Sequence, residues 1–277
     1  MTTQAYYLPQ SLDEALDLLA EHGPTLLVIA GGTIAMPLIN EGISLPEQVM
    51  GLRRAGLNYV NRSNGTLQIG AAATLSQMLA QSHIPLLQQA AQNVGAWAIR
   101  NMGTAGGNLF APPPAGDFAV ALLALDARVK LAGPVGERVL PLGEFYTGFM
   151  TTALAPGELV AEIQAPIPTG QTVYVKHGRR HANTPAVVSL AAHVTLGGKK
   201  VKAARLALNA VGPHPMRATR AEQALVGSTL DEAAIAAAAA AAADECQPFT
   251  DAIASEWYRR RMVDVVVRRA LAQVQRT

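Results

Sequence analysis

The stretch that most restricts this chain is RNMGTAGGNLFAPPPAGD, residues 100–117. It holds four glycines and three consecutive prolines, which predicts a segment unable to stay regular for long. Within it, Gly103-Thr104-Ala105-Gly106-Gly107-Asn108 offers flexible backbone donors beside the Thr104 hydroxyl and the Asn108 carboxamide, groups that bond phosphate or the polar edge of a ring. Asp117 closes the segment, placed to accept from sugar hydroxyls. By itself the segment is equally compatible with a structural loop.

A second glycine turn lies upstream. The apolar run Leu26-Leu27-Val28-Ile29-Ala30 reads as a buried strand and enters Gly31-Gly32-Thr33 directly. Successive small residues let amide N–H groups turn inward as an anion-binding nest. A Cβ there would block both the backbone angles and the approach of a phosphate. A strand ending in Gly-Gly is most often an ordinary turn, but two such segments in one chain fit a cofactor with two phosphates.

Around these turns the pattern is mixed helix and strand. Ser11 with Glu14 is a capping box, Leu12, Ala15, Leu16 and Leu19 follow at helical spacing, and Gly23-Pro24 stops that helix. Residues 61–65 (Asn-Arg-Ser-Asn-Gly) predict a hairpin turn before a strand at 66–73. Thr74 caps a helix, another covers 84–94, and 118–125 is helical before a strand at 127–131. Pro166 and Pro168 mark a boundary, after which strands at 173–176, 186–196 and 203–211 form a separate sheet, with a turn at Gly197-Gly198. Helices at 217–226, 231–243 and 255–275 follow. The chain is expected to be α+β, in units 1–56, 57–168 and 169–277.

Composition removes several function classes. Lys and Arg number 22 against 20 acids, and Arg259-Arg260-Arg261 is the only basic block, so no nucleic-acid partner is expected. That triplet reads as a solvated or subunit-facing helix side. Cys246 is the only cysteine and reads as inert, so the chain ligates no iron–sulfur cluster or Cys₄ zinc by itself. Dinucleotide-fold and phosphate-loop glycine patterns, the H-E-x-x-H pair and the G-x-S-x-G elbow are all missing. No metal site is expected. His177 and His181 lie among Lys176, Arg179 and Arg180, a poor setting for a cation. Without a signal peptide or a run approaching the roughly 20 apolar residues of a membrane span, a cytoplasmic protein is expected. Trp97 and Trp257 read as core or interface anchors.

Four separated segments, in order, resemble the medium, FAD-binding subunits of the xanthine dehydrogenase and carbon monoxide dehydrogenase family of molybdenum hydroxylases. They are YYLPQSLDEALDLLAEHG with IAGGT, then IRNMGTAGGNLFAPPPAGDFAVALLALDARV, VGPHPMRATRAEQALVG and EWYRRRMVDVVVRRAL. The resemblance spans almost the whole chain. It implies an FAD domain of the vanillyl-alcohol-oxidase type, made of two α/β subdomains, then a smaller C-terminal α+β domain. It further implies that Ala30, Gly31, Gly32, Thr33 and Ile34 wrap the pyrophosphate and that Thr104, Gly107 and Asn108 hold diphosphate and ribitol. Asp117 would take a sugar hydroxyl, Leu159 or Val160 would pack near the flavin ring, and Lys176 would lie at its polar edge. The chain departs from the family pattern at Ile34 and Ala35, where many relatives are polar, and at Phe110 and Pro112-Pro113-Pro114.

The resemblance also implies a division of labour. Molybdopterin and [2Fe–2S] clusters would sit on a large and a small partner subunit, in a heterotrimer or a dimer of heterotrimers. This chain would take electrons from the clusters and pass them to an external acceptor. The alternatives are a stand-alone flavin oxidase or dehydrogenase of the same fold, and an assembly subunit without flavin.

Overall fold

Ser11 does start the first helix: its hydroxyl accepts from the Glu14 amide, while the Glu14 carboxylate reaches back to the Gln10 amide at 2.6 Å. In the computed structural model, which describes residues 3–276, that helix (α1, Leu12–His22) joins β1 (Ala5–Tyr7) to β2 (Leu26–Ile29). Gly23, at φ +55°, ends it. A short helix α2 (Ala35–Asn40) leads to β3 (Gln48–Gly51), which pairs in parallel with β1 on one side and β2 on the other. Strand β3 has no signal among the sequence patterns above.

The next sheet begins with the expected hairpin. Asn64 and Gly65, both at positive φ, turn β4 (Val60–Ser63) into β5 (Thr66–Gly70). Thr74 then caps α3 (Leu75–Gln81) in a full capping box with Gln77. Four helices follow: α4 (Pro85–Gln92), α5 (Trp97–Met102), α6 (Ala105–Leu109) and α7 (Asp117–Ala124). Strands β6 (Arg128–Gly133) and β7 (Gly136–Pro141), the short α8 (Leu142–Phe145), the small ladder β8 (Tyr146–Gly148) with β9 (Thr151–Thr152), and β10 (Leu159–Pro166) complete the unit. The sheet runs β4-β5-β10-β6-β7, antiparallel throughout.

Beyond Pro166 an antiparallel sheet runs in chain order through β11 (Gln171–Gly178), β12 (Ala186–Gly197), β13 (Lys200–Asn209) and β14 (Met216–Arg217). The β12–β13 turn is Gly198-Lys199, one residue later than expected, because Gly197 still pairs with Lys200. Helices α9 (Thr219–Leu225), α10 (Glu232–Glu245) and α11 (Glu256–Arg276) belong to this unit, α9 packing on β13, and α11 on β11 and β12.

Helix α7 joins the two larger sheets. All eight of its residues, DFAVALLA, are buried, as a helix apolar on every side must be. It packs on α4 within its own unit and on β12 and β13 of the C-terminal sheet. That explains why the first nine residues of β12 are buried, covered by α7 and by α11.

The reading of residues 259–261 as a solvated face is corrected at Arg259. Its side chain has no exposure, and its guanidinium donates to the carbonyls of Ala186, Val187 and Ala210, pairs with Asp251 at 2.7 Å, and lies 4.7 Å from the Phe249 ring centroid. Three strand-end carbonyls need a donor, and a helix-borne guanidinium supplies it. Neither tryptophan is a core anchor: Trp97 is 72% exposed and Trp257 69%. Cys246 is buried, its thiol pushed up to about 12 by that burial. Replacing Arg259 by Ala should cost about 3 kcal/mol, the lower end for breaking a buried ion pair, read as a lower chemical-denaturation midpoint. A change within experimental error would show that the carbonyls find water instead.

Candidate functional site

The two glycine segments touch. A Cβ on Gly31 would stand 2.0 Å from the Met102 carbonyl oxygen and 2.9 Å from Gly103 Cα, so the first turn lies directly on the backbone of the second. Gly32, next to it, has φ +69°, the left-handed region that favours glycine. A cavity of about 610 Å³ opens beside this contact, within the range of cofactor sites.

All the residues singled out above line that cavity except Lys176: Ala30, Gly31, Gly32, Thr33, Ile34, Thr104, Gly107, Asn108, Asp117, Leu159 and Val160. The walls come from three units of the fold. Strand β2 and its turn give one side, and the α5–α7 region with β10 gives the opposite side. The β11–β12 loop (Asn183, Thr184, Pro185) comes over from the C-terminal sheet. This loop, Gly95 and Glu158 were not signalled by sequence, since none belongs to a recognisable motif.

The two turns differ in what they offer. The amides of Gly32, Thr33 and Ile34 donate no hydrogen bond among the described residues, leaving three adjacent N–H groups for an anion. The second segment is not the flexible donor loop expected. Its residues form α5 and α6, and its amides are spent internally: Gly103 on Ile99 O, Ala105 on Ala73 O, Gly106 on Ala71 O, Gly107 on Thr104 Oγ1 and Asn108 on Thr104 O. The cause is burial. A Cβ on Gly106 would stand 2.7 Å from Ala71 Cβ, so glycine here permits helix-on-strand contact, and the buried amides must then be satisfied. The segment presents bare backbone, but not a row of free donors.

Thr104 and Asn108 act first as caps. Thr104 Oγ1 caps α6. Asn108 Oδ1 accepts from the amides of Phe118 and Ala119, at 3.1 and 3.0 Å, capping α7 from ten residues upstream.

Asp117 and Lys176 meet each other rather than a free space. Lys176 Nζ sits 2.7 Å from Asp117 Oδ2, with both side chains buried, and donates also to the Asn93 carbonyl at the end of α4. Asp117 Oδ1 accepts from Tyr174 Oη at 2.8 Å and Ser189 Oγ at 3.0 Å. The Tyr174 hydroxyl is held well above its usual range, first by burial and then by the Asp117 charge. Thus the carboxylate expected to take a sugar hydroxyl already accepts three bonds from the C-terminal sheet, and Lys176 is outside the cavity wall. Isolated buried charges are too costly to persist, which is why they pair.

The cavity's other acid behaves alike. Glu158 accepts from Arg138 and the Ala155 amide, each at 2.7 Å, and the Arg138 hydrogen bond holds it below the usual carboxylate range. No lysine or arginine is among the residues lining the cavity. With its bare glycine contacts and free amides on one side and apolar Leu159 and Val160 on another, the cavity fits a long cofactor that carries both phosphate and a flat ring.

Comparison with known proteins agrees with this geometry. Residues 1–168 match the family described as FAD binding domain in molybdopterin dehydrogenase, and residues 173–274 match the CO dehydrogenase flavoprotein C-terminal domain. The chain is similar to a glyceraldehyde dehydrogenase medium chain of Sulfolobus acidocaldarius, with 33% identity over 98% of either chain. It is also similar to the 6-hydroxypseudooxynicotine dehydrogenase complex subunit alpha of Paenarthrobacter nicotinovorans, with 35% identity over 97% of this chain and 93% of that one. A chain in the structure of reconstituted CO dehydrogenase from Oligotropha carboxidovorans superposes with a TM-score of 0.94, at 30% identity, over 98% of this chain and 97% of that one.

Two expectations follow from the geometry. Gly31→Val should force the turns apart and sharply lower bound flavin, measured as absorbance per chain after gel filtration; wild-type flavin content would mean the contact does not shape the cavity. Lys176→Met should leave Asp117 buried with hydroxyl partners alone and cost about 3 kcal/mol. Calorimetry checks this, an unchanged melting temperature being the contrary result.

Proposed function

The chain belongs to the FAD-binding domain family of molybdopterin dehydrogenases, and from that premise we propose that its cavity holds FAD with the pyrophosphate on the Gly32–Ile34 amides. The observation that carries this placement is the row of three unspent N–H groups at a turn that only glycine can form. Leu159 and Val160 of β10 give the ring an apolar surface. Asn108, whose Oδ1 is engaged in capping, has its amide nitrogen left for the ribitol chain. Asp117 and Lys176 hold the wall behind the cofactor, and Asp117 approaches a sugar hydroxyl only through the edge it keeps toward the cavity.

Bound FAD supplies a centre that exchanges electrons singly and in pairs. The chain's own part is to fix and shield that centre. Bare glycine backbone admits the phosphates closely, β10 excludes water from one ring face, and the β11–β12 loop narrows the opening. No side chain in the cavity combines a nucleophile with a base, so the residues position and insulate rather than react.

The chain therefore acts as the electron-transfer subunit of a larger oxidoreductase in the cytoplasm. A molybdopterin subunit oxidises the substrate, a subunit with [2Fe–2S] clusters relays single electrons to the flavin, and an external acceptor removes them. One cysteine cannot ligate those clusters, which supports placing them on another chain. Among the described residues no helix is long and apolar enough to cross a membrane. We divide the chain functionally at 1–56, 57–168 and 169–277, the last unit lending the loop and the Lys176 ion pair to the site.

Purification of the native assembly should give one FAD per copy of this chain, with molybdenum and iron on two further polypeptides. A chain that purifies alone, with FAD and substrate turnover of its own, would instead establish the stand-alone flavoenzyme.

A further inference from the structure

The flavin cavity has a charge deficit. Its lining includes no cation, and its two acids are already matched by Lys176 and Arg138. A dinucleotide diphosphate brings two negative charges against the Gly31-Gly32 turn, and three amides offset those charges only in part. Two cations without a carboxylate partner adjoin the same turn.

There a smaller cleft of about 330 Å³ shares Ala30, Gly31 and Gly32 with the main cavity and is walled by Arg53 and Arg54. The two arginines follow β3 in a single helical turn, residues 52–54, whose Leu52 is buried and lines the main cavity. Their bonding is incomplete. The only partner of Arg53 is the Met102 sulfur at 3.3 Å, a weak acceptor, and Arg54 makes no hydrogen bond or ion pair among the described residues. This contrasts with Arg138, Arg205, Arg217 and Arg259, each of which is paired with a carboxylate.

We infer that Arg53 and Arg54 are the counter-ions of the dinucleotide diphosphate, so that the phosphates are held between the amides of one turn and two guanidinium groups in the adjoining cleft. The inference rests on the cavity being the FAD site. It assigns discrimination for phosphate to a basic pair in a cleft outside the flavin cavity. The pair supplies positive charge that the lining of the cavity lacks.

The test is titration of the full chain, freed of flavin, with FAD at rising salt, followed by quenching of flavin fluorescence. The Arg53→Gln/Arg54→Gln double variant should bind FAD about tenfold more weakly at low salt, with the gap to wild type closing as salt screens the pair. The Arg53→Lys/Arg54→Lys variant should recover most of the affinity, because charge rather than shape is at stake. Wild-type affinity and salt dependence in the Gln variant would overturn the inference, as would a Lys variant no better than Gln. A wild-type chain that binds no FAD under any condition would overturn the cofactor reading itself, a separate outcome.

Discussion

A single buried carboxylate organises this molecule. Asp117 is the first residue of the fully buried helix α7, and three side chains from the C-terminal sheet converge on it: Tyr174, Lys176 and Ser189. A carboxylate at a helix N-terminus is favoured by the exposed amides there, and the Lys176 ammonium in turn meets the last carbonyls of α4. The ion pair therefore meets two helix ends while joining α7 to the C-terminal sheet. Because Asp117 also lines the cavity, the same interaction that seats the C-terminal domain sets the position of the cavity wall.

A second principle is the pairing of the acids that line the cavity. Both acids that line the cavity are paired with cations outside its lining: Asp117 with Lys176, and Glu158 with Arg138. Glycine backbone and aliphatic side chains make up much of the rest of the lining.

Local features of the fold were legible in the sequence, because they depend on residues close together. The Ser11 cap, the Asn64-Gly65 hairpin, the Thr74 capping box and the strand leading to Gly31 are of this kind. So was the pairing of two glycine segments in one chain. The actual use of the second segment was not legible: glycine content predicts an irregular loop, whereas burial of Gly106 on Ala71 favours two short helices, with the amides of Gly103, Ala105, Gly106, Gly107 and Asn108 spent. The partners of Asp117 lie 57 to 72 residues away, and the carbonyls that hold Arg259 lie 49 to 73 away, so no local pattern announces them. Arg259-Arg260-Arg261 reads as one basic face, although the first of the three points into the core.

The exposure of both tryptophans has an optical consequence. Trp97 stands on α5, whose Ile99 lines the cavity, and Trp257 stands in the first turn of α11. Neither indole is sheltered by the core, so the ultraviolet emission of the isolated chain originates in water-facing rings and shows little of the interior. Any partner that covers either ring dries it and moves its emission to shorter wavelength. The chain thus carries, at two well-separated points, a native dye for its own assembly.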